Sequence, residues 1–377
     1  MAESDRHRGR EGTRESPPPE RSPRRSRRRC LAVALPLLAA ACAGLKGPQQ
    51  AEYIFYPAPP EEPRIQYLAT YNSEWDVTGP MDRLEMFVLG ERTAGRIMKP
   101  YGVAIHDGKI FVCDTVAGAV FVLDLVERGI ESLGEKAPGG LKKPINIAVD
   151  ADGTRYVADR ALKRVLVYDD QNRYLKAIGS PEVWAPTDVL IAGDELYVSD
   201  LDNGQIAVVD KSSGEELERL GREGFDEAEF MFPTNLARDR DGNLYVADTA
   251  NYRIQKVDRR GRPLLQIGEA GDAPGNFARP KGVALDGEGR IYAVDAAFMN
   301  VQIFDAEGRL LLVFGNAGTA PGDMYLPAKV AIDYDHLGLF ADRVAPGYEL
   351  EYLILVTNQY GPNKISVYGF LKQPVGD

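Results

Sequence analysis

Five aspartates recur at matching places, each closing a short apolar run: Phe111-Val-Cys-Asp114, Tyr156-Val-Ala-Asp159, Tyr197-Val-Ser-Asp200, Tyr245-Val-Ala-Asp248 and Tyr292-Ala-Val-Asp295. Acid–base chemistry needs an asymmetric constellation, and five equivalent copies supply the opposite. They point to a repeated local duty, an Asp carboxylate accepting backbone N–H groups in the turn that follows it. A smaller, asymmetric set stands two residues after a recurring proline: Gly102, Asn146, Asp188, Asn235, Gly282 and Lys329. Three successive members, Asn146, Asp188 and Asn235, carry hard oxygen donors of the kind Ca²⁺ prefers. Only Asp188 is a carboxylate, and Lys329 sets a positive charge in the same series.

Other chemistries lack their groups. The three histidines, His7, His106 and His336, lie in a leader, an inter-strand turn and an insertion, which is no ligand set for zinc. Cys113 takes the place of a small residue in a strand motif and reads as a packed core thiol. The glycine-rich segments Gly268–Gly275 and Gly315–Gly322 open no helix and lack the Lys-Ser/Thr ending of a phosphate loop, so they read as linkers.

The elements that would position these residues form a repeat. Six segments open alike: Pro100-Tyr-Gly-Val-Ala, Pro144-Ile-Asn-Ile-Ala, Pro186-Thr-Asp-Val-Leu, Pro233-Thr-Asn-Leu-Ala, Pro280-Lys-Gly-Val-Ala and Pro327-Ala-Lys-Val-Ala. Three residues before each proline stands an apolar side chain: Ile97, Leu141, Val183, Phe230, Phe277 and Met324. Each opening leads through a turn into the run that ends in Asp, or in Asn358 for the sixth, then into a third run and, in five units, a fourth. Four short strands make a meander that cannot bury both faces alone, and six such units arranged radially close a ring, an all-β six-bladed propeller of four-stranded antiparallel blades. The sixth unit lacks a fourth strand after Gly369. The segment Arg64-Ile-Gln-Tyr-Leu-Ala-Thr-Tyr71 has the length and composition to supply it, so the N-terminal strand is expected to close the last blade.

These repeats resemble the NHL-repeat family of six-bladed propellers, most closely in Pro280-Lys-Gly-Val-Ala-Leu-Asp286 and Tyr245-Val-Ala-Asp-Thr-Ala-Asn-Tyr-Arg-Ile-Gln-Lys-Val-Asp258. The resemblance covers residues 64–377 and implies architecture; the same fold serves binding modules, lyases and lactone hydrolases. By propeller convention the residues two after each proline form a ring at the mouth of the central channel. The trio Asn146, Asp188 and Asn235 is then similar to the channel metal site of paraoxonase and gluconolactonase-like propellers, without the Glu those enzymes use. The other reading of the trio is polar side chains that bond the strand openings and line a wet channel.

The N-terminus reads as an address. Residues 31–41 form an apolar segment behind an arginine-rich stretch, too short to cross about 30 Å of hydrocarbon, and Ala39-Ala40-Ala41 before Cys42 resembles a bacterial lipobox. Residues 1–41 are therefore expected to be a lipoprotein-type signal peptide, with acylated Cys42 as the membrane attachment; cleavage after an Ala-x-Ala site and an uncleaved anchor are the other readings. Ser26-Arg-Arg-Arg-Cys-Leu31 also resembles a twin-arginine export signal, and Ala43 after the cysteine favours the outer membrane. Residues 42–63, with Pro57-Ala-Pro-Pro-Glu-Glu-Pro63, are expected to be a stiff proline-rich tether.

The net charge of −11 divides unevenly: ten Arg against five acids in residues 1–42 leave the remainder at −16. That acidity, with no contiguous basic stripe, argues against nucleic acid as a partner. One insertion, Tyr334–Glu349 in the sixth unit, breaks the symmetry and carries Leu337, Phe340 and Tyr348, either capping the channel floor or docking a partner. Two functions stand together: a monomeric, lipid-anchored scaffold of the bacterial cell envelope that binds a protein or peptide, and a Ca²⁺-dependent hydrolase or lyase using Asn146, Asp188 and Asn235.

Overall fold

Each recurring proline starts an innermost strand: Pro100–His106, Pro144–Val149, Pro186–Ala192, Pro233–Arg238, Pro280–Leu285 and Pro327–Asp333. The first residue of a strand is where the missing N–H of proline costs the ladder least. The computed structural model describes residues 53–79, 96–134, 138–182 and 184–372, all within one unit spanning Glu52–Asp377. In blades one to five the innermost strand pairs antiparallel with the next three in chain order, giving five four-stranded meanders. The expected signal peptide, Cys42 and most of the tether lie outside the described residues.

The second strands, such as Lys109–Asp114, Leu244–Asp248 and Ile291–Asp295, are almost wholly buried because a neighbouring blade covers each face. Burial on both faces explains why they read as continuous apolar runs instead of alternating. The buried side chains fall into six clusters, each shared by two adjacent blades. Phe111, Val120, Ile147 and Val157 join blades one and two, and Leu353, Leu355, Val103 and Val112 join blades six and one, so the ring is closed.

A plug repeats between blades. The residue three before the proline is buried in five blades, and in four of them, Leu141, Phe230, Phe277 and Met324, it lies against a glycine of positive φ at the end of the preceding blade. A Cβ on Gly268 would sit 2.4 Å from the Phe277 ring, so both the backbone angle and the contact demand glycine there. Val183, expected to fill this place in blade three, lies outside the described residues, and Trp184 does the work. Its ring lies 2.4 Å from the Cβ position of Gly179, and its indole N–H donates to Glu216 at 3.0 Å.

Blade six closes as expected and carries one strand more. Ile65–Tyr71 pairs with Ile365–Leu371 in a register that sets Ile65 opposite Phe370 and Tyr71 opposite Ile365. Beyond it Phe55–Tyr56 adds a fifth strand, Tyr56 facing Ile65, and the Tyr56 and Tyr368 hydroxyls both donate to the carbonyl of Gly322 at 3.0 and 2.9 Å. The described end of the expected tether is therefore part of the blade; Tyr53, Phe55 and Tyr56 carry enough aromatic surface to outweigh the extended preference of the prolines beside them.

The insertion turns Phe340 inward. It forms the short 3₁₀ helix Leu337–Arg343, whose Phe340 is fully buried against blade six while Leu337 and Tyr348 are half-buried beside it. The Gln66 carboxamide holds it to the closing strand, donating to the Arg343 carbonyl at 2.8 Å and accepting from the Ala345 N–H at 2.9 Å, and Tyr348 meets Phe55 at 5.3 Å. Three apolar residues near an uncovered blade seam are drawn inward because burial there removes more surface from water than a solvent loop would.

Candidate functional site

The channel ring forms because every innermost strand slips register just after its proline, between Pro186 and Asp188 and between Pro233 and Asn235 for example. Such a bulge re-aims a single side chain, here the residue two after the proline. Gly102 is compelled by proximity: a Cβ there would lie 2.3 Å from Asn146 Oδ1.

Lys329 reaches across this ring. Its ammonium donates to Asn235 Oδ1 at 2.9 Å and to Asp188 Oδ2 at 3.3 Å, joining blade six to blades three and four. The two acceptors also stitch neighbouring blades. Asp188 Oδ2 accepts the Leu236 N–H at 2.7 Å, and Asn235 Oδ1 accepts the Val283 N–H at 3.1 Å, each bonding the residue three after the next blade's proline. Asn146 would do the same to Val189, but that N–H is taken by Asp188 Oδ1 at 2.9 Å. Both polar atoms of Asn146, and Asn235 Nδ2, are thereby left buried without a protein partner. Burial pushes the Asp188 carboxyl up, while Lys329 and the two N–H groups draw it back down.

The expected calcium trio is thus only partly assembled. Asp188 and Asn235 converge on the Lys329 ammonium, and Asn146 is joined to neither. Ca²⁺ takes six to eight oxygens at about 2.3–2.6 Å. Here a single carboxylate shares its oxygens with an ammonium and two N–H groups, and the residues present do not fit that ion. Among the described residues no group of three or more His, Cys, Asp or Glu could hold a metal.

Three of the five repeated aspartates, Asp114, Asp159 and Asp295, take the turn N–H groups expected of them and reach further, whereas side-chain donors engage the other two, Asn203 and Arg219 at Asp200 and Asn251, Arg253 and Gln255 at Asp248. Asp114 Oδ1 accepts Val116 and Ala117 N–H in the following turn, both at 2.9 Å. Its Oδ2 reaches back to Met98 and Lys99 N–H at 2.6 and 3.0 Å, locking the loop that enters the innermost strand. Asp159 and Asp295 repeat all four bonds, and in blade six Asn358 accepts from Tyr325 N–H at 3.1 Å. Asp295→Ala strands four N–H groups and should cost about 2–4 kcal/mol in urea unfolding, with Asp295→Asn recovering part of it.

Cys113 is fully buried and its thiol pushed well up by burial, as a core thiol requires. The two histidines of the ring, unrelated in sequence, meet in one cavity of about 640 Å³ on the face opposite the mouth, with Asp107, Lys109, Arg155 and Asp335. His336 Nδ1 lies 2.8 Å from Asp333 Oδ1, which ties it to the end of its own strand.

What the sequence reading missed is a cationic sector on the mouth. Blade five brings Arg279 and Lys281 and blade one brings Lys99 and Tyr101, on either side of blade six. The Lys281 ammonium stands 5.1 Å over the Tyr101 ring and that of Lys99 5.0 Å over Tyr360. Burial, reinforced by Arg279 and Lys99, pulls the Lys281 ammonium down to about 8. None of these three cations has a carboxylate partner among the described residues. A pattern was present, basic residues directly flanking the prolines in Lys99-Pro100, Lys143-Pro144 and Arg279-Pro280-Lys281, but only the closed ring sets its first and fifth blades two places apart.

Architecture and comparison agree on the class: this is a six-bladed β-propeller carrying an NHL repeat, whose profile matches residues 230–257, in blade four. Solved propellers align along most of the ring. A protein of unknown function from Bacteroides thetaiotaomicron is 17% identical over 81% of this chain and 75% of its own, with a TM-score of 0.59. Regucalcin, a calcium-binding protein of Agrobacterium tumefaciens, is 14% identical over 74% and 92%, at 0.53. A gluconolactonase from Xanthomonas campestris is 15% identical over 73% and 86%, also at 0.53. At these identities the likeness is one of fold.

Proposed function

We propose that this propeller is a binding scaffold of the bacterial cell envelope, held to the membrane through acylated Cys42 and taking a protein or peptide on its channel-mouth face. One observation carries the reading: the mouth presents cations that have no carboxylate partner among the described residues, with exposed Met98, Tyr325 and Tyr360, while the channel beneath is spanned by Lys329, Asp188 and Asn235. A closed channel under a chemically distinct rim suits surface recognition better than a substrate held among catalytic groups.

Two measurements on the full chain in a bacterial host test it. Cys42→Ser should move the protein from the membrane pellet to the soluble fraction and remove the acyl mass from the mature N-terminal peptide; an unchanged pellet contradicts the anchor. A photo-crosslinking residue placed at Met98 or Tyr360 should capture a protein, whereas one at Leu175, on the outer strand of blade two, should not. Capture from Leu175 alone would move the interface to the blade edges.

A further inference from the structure

One side of the channel mouth gathers cations, and the inference drawn from them rests on the binding role just proposed. The residue after each innermost proline is Tyr101, Ile145, Thr187, Thr234, Lys281 and, in blade six, Ala328. Ala328, the smallest of them and fully buried, lets Lys281 reach across blade six to lie over the Tyr101 ring. Lys99 and Arg279, directly before their prolines, are close enough to Lys281 for their charges to act on it. The Asn146 amide, with neither polar atom partnered, lies against Gly102 next in the chain to Tyr101.

The same face limits what the anion can be. The linkers that return to the mouth carry Glu223, Asp226, Glu227 and Glu229 between blades three and four and Glu269 and Asp272 between blades four and five, so the cationic sector is confined to the part of the mouth around blade six. With −16 on residues 43–377, a long polyphosphate chain meets repulsion along most of its length, whereas a compact carboxylate group can be confined to the cationic sector. Met98, Tyr325 and Tyr360, between 41% and 51% exposed, add apolar contact around the rim.

We propose that the channel mouth recognises an acidic peptide segment of a partner protein, its carboxylates seated on Lys99, Arg279 and Lys281 and its apolar side chains on the rim residues Met98, Tyr325 and Tyr360. Lys281 and Lys99 are held over aromatic rings, with no carboxylate partner among the described residues, so an incoming carboxylate completes their pairing.

Fluorescence anisotropy of the purified full chain with a labelled hexapeptide alternating glutamate and leucine tests this. Binding should weaken about tenfold or more when the glutamates are replaced by glutamine, and by a similar factor in the Arg279→Ala/Lys281→Ala variant. Lys281→Arg, which keeps the charge, should retain most of the affinity, and Lys372→Ala, remote from the mouth, should match the unaltered chain. Circular dichroism confirms that each variant is folded. Equal affinity for the glutamine peptide, or an unaffected double variant, overturns the assignment, and tighter binding of a labelled oligothymidylate than of the acidic peptide gives the rim to nucleic acid. Crosslinking from Met98 or Tyr360 that persists while the acidic peptide fails would leave the scaffold role standing and remove only the peptide chemistry.

Discussion

A chain lacking residues 53–72 should not fold cooperatively. That segment supplies two strands of blade six and, among the described residues, the strand that pairs with the outer side of Ile365–Leu371. It buries Tyr56, Ile65, Leu68, Ala69 and Tyr71. At about 1.5–3 kcal/mol for each large apolar side chain, the loss is roughly 10 kcal/mol, as large as the whole stability of a typical domain. The exposed edge of Ile365–Leu371, seven residues all buried in the intact ring, would then be a template for pairing between molecules. Urea unfolding followed by the fluorescence of Trp184, far from the deletion between blades two and three, measures the effect. A truncated chain that elutes as a monomer and unfolds at the native midpoint would show that the ring stands without its closing strand. Adding residues 53–72 as a separate peptide should restore part of the transition, because the strand is lost and its groove remains.

Lys329→Met should be the most damaging single change in the channel. It removes the counter-ion of Asp188, whose side chain is 2% exposed, and leaves that carboxylate with two backbone N–H groups and no positive charge. Breaking one side of a buried pair costs about 3–5 kcal/mol. The pH dependence follows from the sign of the shift. Burial already raises the Asp188 pKa above its unfolded value, and losing Lys329 raises it further. A group with a raised folded pKa contributes stability that is complete below the unfolded pKa, near 3.9, and lost as pH rises through the folded one. The deficit of Lys329→Met against the native chain should therefore be small in acid and grow toward neutral pH in urea titrations. Adding Asp188→Asn should recover part of the stability at neutral pH by removing the orphaned charge while keeping an acceptor for one N–H. A deficit independent of pH would mean that Lys329 acts by packing alone.

The six units, their strands and the closing role of residues 64–71 were legible because burial on both blade faces forces continuous apolar runs, and tight turns force Gly and Asp at fixed offsets. The local duty of Asp114, Asp159 and Asp295 was legible for the same reason, although the second set of bonds, back to Met98 and Lys99, needed the strand ends side by side, as did the arginines that reach Asp200 and Asp248. Phe55–Tyr56 was hidden by its prolines, and Trp184 by a one-residue shift in the plug. The fate of Phe340 turned on the hollow beside Leu68 and Leu350, which no local pattern announces.

The candidate site divides along the same line. Sequence alone determined which residues enter the channel, because a proline followed by a bulge is a local event repeated six times. Only the tertiary structure decided what they do there. Lys329 and Asp188 are 141 positions apart and Lys281 and Tyr101 farther still, and no periodicity states how far a lysine reaches across a ring or which neighbour claims an N–H first. Closing the ring turned an apparent cation site into one already held by an ammonium, and gathered onto one side of the mouth of an acidic protein the lysines and arginine that the chain keeps apart.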